Sequence, residues 1–207
     1  MYRLEQGLVI PTKPKAKPVN RATPDTGINC TNHLRQDFDQ KAPDLVWVSD
    51  ITFIKINNVW YYLCVVIDLF SRKVIGWCLS CKSDANLTCS TFKKAYQSRN
   101  INGGLVFHSD RGTQYTASAF RRLLDSLNVV QSFSKKGYPY DNAVCESFFK
   151  TIKEECTKRK TYHSADELQK DVFEYIESFY NNKRPHSYLN NMTPNEFEAE
   201  YAKRQKE

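Results

Sequence analysis

The sequence predicts a mixed α/β fold: three antiparallel strands extended by two further strands, with helices on the faces of the sheet and a helical tail behind it. Three observations predict this. Residues 45–80 hold three apolar, β-branched and aromatic runs separated by short polar turns. From 83 onward helical spacing alternates with short apolar runs, up to about 160. From 161 to 207 only helical patterns occur.

The first strand covers about 45–56 and begins Leu45-Val46-Trp47-Val48-Ser49-Asp50-Ile51-Thr52-Phe53-Ile54. Its β-branched and aromatic content suits a buried strand. Asn57-Asn58 reads as a hairpin turn. The second strand runs 59–69, Ser71-Arg72-Lys73 turns the chain, and the third runs 74–80. Together they form an antiparallel meander. Ser83 or Asp84 caps a helix reaching about Arg99, and Gly103-Gly104 ends the connection. The fourth strand is 105–110. Thr116 reads as the N-cap of a helix carrying Ala119, Phe120, Leu123, Leu124 and Leu127 at helical spacing. A short strand follows at 129–134, then a basic loop with Lys135, Lys136, Gly137, Tyr138 and Pro139. Asp141 or Asn142 opens a helix through about Arg159, with Asp141 the better-placed cap.

The tail has two capping boxes, Ser164-Ala165-Asp166-Glu167 and Thr193-Pro194-Asn195-Glu196, the second with Pro at the first helical position. Leu168, Val172, Phe173, Ile176, Phe179 and Tyr180 form one apolar stripe. Residues 11–18 are a Pro/Lys run, either a linker or a basic arm along a phosphate backbone. The expected organisation is a basic linker over 1–43, a core over 44–160 and a helical extension over 161–207.

With 207 residues, 41% of them hydrophobic, the chain is long enough for one sizeable core. No apolar run approaches the roughly 18 residues of a membrane helix, and the N-terminus resembles no signal or transit peptide. No membrane role and a cytoplasmic location are therefore expected. A net charge of +7 suits a polyanionic partner. Seven cysteines, an odd number without an export signal, read as reduced thiols. Cys78 and Cys81 form a C-x-x-C, but residues three apart on a strand point to opposite faces and chelate poorly.

Two apolar strands carry or end in an acid, Asp50 and Asp110, and Glu146 lies near the start of a helix with 35 residues between it and Asp110. A buried carboxylate is normally paired, hydrogen-bonded or metal-bound. If the three converge, each like-charge pair at about 4 Å repels by about 4 kcal/mol at an effective dielectric of about 20. Raised pKa values or divalent cations relieve that. An oxygen-only set points to magnesium or manganese rather than zinc, and two such ions about 3.5–4 Å apart clamp the entering and leaving oxygens of a phosphoryl transfer. At 100° per residue, Glu146, Lys150 and Lys153 fall within about 60° of one another, and Cys145, Phe148, Ile152 and Cys156 centre about 110° away. The acid and two lysines then share one polar side, which serves either a phosphate-binding site or a solvated Glu–Lys pair. Asp68 reads as a turn acid or a partner of Arg72. His108 shares a strand face with Asp110 and either contacts phosphate, orients that acid, or is structural.

Four blocks of this sequence resemble the retroviral-integrase-like core of bacterial insertion-sequence transposases of the insertion sequence three group, in its second-reading-frame product. They are Trp47-Val48-Ser49-Asp50-Ile51-Thr52, His108-Ser109-Asp110-Arg111-Gly112-Thr113-Gln114-Tyr115, residues 137–149 from Gly137-Tyr138-Pro139-Tyr140 through Glu146-Ser147-Phe148-Phe149, and the tail Tyr180-Asn181-Asn182-Lys183-Arg184-Pro185-His186 with Met192-Thr193-Pro194. The resemblance covers about Asp44 to Pro194. It implies an RNase H-like fold and a D-D-E site of Asp50, Asp110 and Glu146 holding magnesium or manganese, two ions in all. It also implies strand cleavage by water, then attack of the freed 3′-hydroxyl on another phosphodiester. DNA, both element ends and target, is the implied partner, with a homo-oligomer assembled on it in the bacterial nucleoid. Lys135, Lys136, Lys150, Lys153 and Arg184 are candidate DNA contacts, with Gln114, Tyr138 and His186 behind them. Relatives of this kind carry N-terminal helix-turn-helix modules, of which Met1–Val9 is at most a remnant. A non-catalytic DNA-binding or inhibitory fragment is the alternative, and a hybrid nuclease on the same fold is disfavoured by the 35-residue gap and the tail motif.

Overall fold

The computed structural model describes residues 30–135 and 139–206. The Pro/Lys run, Lys136 and Tyr138 lie outside the described residues. The elements are β1 (Val46–Ile56), β2 (Val59–Asp68), β3 (Val74–Ser80), α1 (Ala85–Gln97), β4 (Val106–Ser109), α2 (Thr113–Thr116), α3 (Ser118–Ser126), β5 (Val130–Phe133), α4 (Ala143–Ile152), α5 (Ala165–Phe173) and α6 (Pro194–Arg204). The five strands form one sheet in the order β3-β2-β1-β4-β5. β1 pairs antiparallel with β2 and parallel with β4, and β4 pairs parallel with β5. The antiparallel and parallel halves therefore meet along β1.

Strand alternation sorts the side chains onto two faces. Trp47, Val66 and Phe107 point to a layer made with Phe92 and Ala95 of α1, Tyr115 of α2, and Phe120 and Leu124 of α3. Rings there meet tilted or edge-on, Phe92 to Phe107 at 5.3 Å and Phe107 to Phe120 at 5.3 Å, contacts worth about 0.5–1.5 kcal/mol each beyond burial. Val46, Val48, Leu63, Val65 and Ile67 point the other way, to Cys145, Phe148, Phe149 and Ile152 of α4. The hairpin between β1 and β2 turns on Asn57 and Asn58, with φ of 44° and 67°, the left-handed pair a two-residue turn requires. A Cβ on Gly76 of β3 would stand 2.8 Å from the Ala95 Cβ and 2.9 Å from the Thr91 carbonyl oxygen, so only glycine lets β3 approach α1 this closely.

Several local expectations are corrected. Thr116 does not cap α3: its hydroxyl donates to the Gly112 carbonyl at 3.2 Å, and α3 starts without a side-chain cap. Asp141 is not an N-cap either. It accepts the Lys135 N–H at 2.7 Å and the amides of Gln36 and Asn32, so it ties the loop to the segment before β1. α4 stops at Ile152 and a π-helical turn follows over Lys153–Thr157. Only half of the box at Ser164 forms, because Glu167 reaches the His163 N–H instead. The box at Thr193 is complete. Phe173 and Phe179 are exposed, and Tyr175 is buried instead. The π-helical stretch Glu174–Tyr180 widens the turn and rotates Phe179 off the stripe.

Packing runs across positions 43 and 161. Leu34 is buried in the same cluster as α4, and the His33 N–H donates to Ser132 Oγ at 2.9 Å. Leu168, Val172, Tyr175, Ile176 and Tyr180 join that cluster too. Asn181 binds Val74 through both its amide groups, at 3.1 and 3.0 Å, and Glu198 of α6 reaches Lys73 and Arg99. An apolar face needs a cover, and here the segments outside 44–160 supply part of it.

Candidate active site

β1 and β4 pair from Val46–Val106 to Val48–His108 and then separate. Asp50 and Asp110 each stand two residues beyond the last pair. On a period of two, both share the face of Val46, Val48 and Val106, the face that α4 covers. α4 brings Glu146 in its first turn, above the buried Cys145. The helix is positioned from beneath: Asn142 donates through Nδ2 to the Ser49 carbonyl oxygen at 3.2 Å. Its Oδ1 is buried without a partner among the described residues. On the opposite face of β1, Ser49 Oγ lies 2.8 Å from the Tyr115 hydroxyl and 2.7 Å from the Val65 carbonyl oxygen. Asp50 is thus held on a strand fastened on both sides.

Asp50 senses both of the other acids. Burial first, then the charges of Asp110 and Glu146, push the Asp50 carboxyl up to about 7, against the Ile51 N–H and Lys153, which favour its charge. Burial also raises Asp110, whose Oδ1 accepts the Gly112 N–H at 2.9 Å. Cys145 is raised well above its ordinary value by burial and by Asp50, Glu146 and Asp110 among its neighbours. Three carboxylates without an imidazole or thiolate among them are the donor set of a hard divalent cation. Among the described residues, no group of three or more His, Cys, Asp or Glu side chains stands so gathered as to hold a metal ion. The chemistry of the donors fits; the side chains as placed do not enclose an ion.

The lysines separate. Lys150 is exposed. Lys153 opens the π-helical turn, and its Nζ lies 5.2 Å from the centre of the Phe53 ring. Burial, then Lys158, lowers its pKa, and Asp50 opposes the shift. Lys135 has an exposed side chain at the end of β5. Arg184 is not offered to solvent in the manner expected of a DNA contact: its guanidinium is engaged by Glu155, with Nη2 to Oε1 at 2.8 Å and Nε to Oε2 at 3.0 Å. His186 packs edge-on to Tyr180 at 4.7 Å, and burial first lowers it to about 4. His108 is structural: fully buried, it bonds Ser132 Oγ at 2.8 Å and Ser134 Oγ at 3.1 Å. Asp68 is the turn acid, accepting the N–H groups of Asp44 and Ser71. Gln114 folds its side chain over Gly112.

Two family models, each described as an integrase core domain, match residues 40–139 and 127–194. The transposase InsF for insertion sequence IS3A of Escherichia coli (strain K12) is 38% identical over 193 residues, covering 93% of this chain and 67% of that protein. The chain belongs to the IS3-type transposases. Another relative, the transposase for insertion sequence element IS904 of Lactococcus lactis subsp. lactis (strain IL1403), is 40% identical over 167 residues, 81% of this chain and 66% of its own length. This transposase chain thus spans about two thirds of the length of the curated relatives it matches. Among solved structures, it resembles the HTLV-2 integrase catalytic core domain in complex with magnesium, with a TM-score of 0.58, 18% identity, and coverage of 76% of this chain and 98% of that one. It also resembles a chain of the simian T-cell lymphotropic virus intasome, with a TM-score of 0.61, 17% identity, and coverage of 81% and 58%. At these identities the likeness shows the RNase H-like fold.

From the residues alone, Asn142 reads only as the opening of a helix. Its position in the turn just before an acid-bearing helix was the available signal. Phe53 and Trp60, exposed aromatics flanking the Asn57-Asn58 turn, went unremarked.

Proposed function

We propose that this chain cleaves DNA phosphodiesters and transfers strands, with Asp50, Asp110 and Glu146 holding magnesium or manganese ions. The placement of Asp50 and Asp110 at matching positions where β1 and β4 part, on the face α4 covers with Glu146, carries this reading. Bound between these carboxylates, divalent ions would activate the attacking oxygen and stabilise the leaving one. The chain's own contribution is positioning. The Ile51 and Gly112 N–H groups orient the two aspartates, and Asn142 fixes the start of the helix that carries Glu146. Lys150 and Lys153 supply positive charge beside the acids for the phosphate backbone, and Lys135, with Lys136 next to it in sequence, adds to it. Element ends and target are the DNA partners, and the chain acts as a homo-oligomer assembled on them in the bacterial cytoplasm. The catalytic unit runs from about 44 to 160, braced by the flanking segments. No helix among the described residues is long and apolar enough to cross a membrane.

The test is strand nicking and joining on labelled duplex carrying the host element's ends, in magnesium, manganese or EDTA. Metal-dependent product, lost in Asp50→Asn with the fold intact, is the expected result. An Asp50→Asn chain that joins ends at the normal rate would overturn the assignment.

A further inference from the structure

Beyond the three acids, β1 and β2 carry an aromatic pair that the site does not use. Phe53 and Trp60 are 37% and 39% exposed, although large aromatics near a buried sheet normally bury more. Their rings meet edge to face, 5.1 Å apart. Each has a lysine ammonium beside it: Lys153 at 5.2 Å from the Phe53 ring and Lys55 at 5.5 Å from the Trp60 ring. Lys158 adds its charge near Lys153. The hairpin is fixed at its tip, where Asn57 Nδ2 donates to the His163 carbonyl oxygen at 3.1 Å. Phe53 follows Asp50 by three residues on β1 and so points to the opposite face, while Lys153, beside its ring, is near enough to Asp50 to favour that acid's charge.

We propose that Phe53 and Trp60 form a stacking platform for an unpaired base of single-stranded DNA, with Lys55 and Lys153 gripping the adjoining phosphates. Aromatic faces bind any base, and flanking ammonium groups select a polyanion over an apolar protein partner. Strand transfer requires a free strand end at the acids; the platform lies on the other face of β1, and Lys153, beside the Phe53 ring and near Asp50, links the two places. The inference rests on the reading that DNA is the substrate. It is tested without chemistry, so that its failure is separate from that reading's.

The experiment titrates the whole chain in EDTA with a labelled single-stranded oligonucleotide and a duplex of the same length, reading anisotropy and tryptophan emission. Trp60→Ala and Phe53→Ala are each expected to weaken single-strand binding by about tenfold, as loss of one stacked base does, while duplex binding changes less than about twofold. Trp60→Phe is expected to keep most of the affinity. Emission of the wild type is expected to be quenched by the oligonucleotide, and the quench to shrink markedly in Trp60→Phe but not in Trp77→Phe, because Trp47 is fully buried and Trp77 is the other partly exposed tryptophan. Asp50→Asn is expected to bind the oligonucleotide as the wild type does while failing to join strands. Unchanged single-strand affinity in Trp60→Ala, or no quench in the wild type, would overturn the platform. So would a wild-type dimer that sediments as a monomer in Trp60→Ala, which would make this face a contact between copies.

Discussion

Asp50 and Asp110 stand two residues past Val48 and His108, the last pair at which the parallel strands β1 and β4 meet. The two carboxylates thus share one face at the point where the sheet opens, and α4 lays Glu146 over that opening. Asp50 and Asp110 thus bring negative charge into a place of low solvation, with the exposed Glu146 at its edge, and this has measurable consequences before any DNA is present.

The first is a pH-dependent instability of the ion-free chain. Asp50 has an ordinary value of 3.8 and is pushed up to about 7 by burial, then by Asp110 and Glu146. Between those values the folded chain holds a proton that the unfolded chain has released. The favourable contribution is therefore present at low pH and lost as pH rises from about 4 to about 7. Asparagine never ionises. Asp50→Asn is expected to match the wild type near pH 4 in EDTA and to exceed it by about 1–3 kcal/mol above about pH 7. Thermal melts across that range check it; a variant less stable than the wild type at the upper end would contradict it. His108 and His186, both lowered to about 4, act with the opposite sign. They cost stability as pH falls below about 6.5, so the comparison with the variant is what isolates Asp50.

The second concerns Asn142. It joins the turn before α4 to the Ser49 carbonyl oxygen, one residue from Asp50. Asn142→Ala is expected to cost about 1–2 kcal/mol, since a buried carbonyl loses its donor. Strand joining is expected to fall more than stability accounts for at a temperature where the variant is fully folded. Equal rates for variant and wild type under those conditions would remove Asn142 as a positioning residue.

The third separates two basic residues. Lys150 is exposed on α4, whereas Arg184 is paired bidentately with Glu155, to which the Tyr175 hydroxyl also donates at 2.8 Å. Lys150→Ala is expected to reduce the salt dependence of duplex binding by about one counterion and to leave the melting temperature alone. Arg184→Ala is expected to cost about 1 kcal/mol of stability and leave the salt dependence unchanged. Both are read from binding isotherms at several salt concentrations together with melts.

Much of this site was legible in the residues because its parts are strongly patterned. A carboxylate inside Val-Trp-Val-Ser-Asp-Ile, and another closing Val-Phe-His-Ser-Asp, contradict the apolar runs around them, and such contradictions mark functional positions. The antiparallel meander and the mixed sheet with helices on its faces followed from the hairpins and from the change of period after 83, whereas the placement of β4 beside β1 did not. What escaped was set by partners distant in sequence. Asp141 suits a helix cap by local rules, yet it binds Asn32 and Gln36 more than a hundred positions away. Arg184 reads from the sequence as a candidate DNA contact, and only the fold sets Glu155 opposite it. Phe179 belongs on the buried stripe of a regular helix, and only the π-helical turns move it out. The contacts of Leu34 and of Leu168 to Tyr180 with the face that α4 covers are likewise set by partners distant in sequence.

The measurement that tests the central claim most directly is manganese binding by the chain without DNA, followed by calorimetry or by the spectrum of the free ion. Wild type is expected to bind manganese above about pH 7, where Asp50 ionises readily, and Asp50→Asn, Asp110→Asn and Glu146→Gln are each expected to weaken that binding by about tenfold or more. Manganese bound with undiminished affinity by Glu146→Gln would contradict a site built from all three carboxylates.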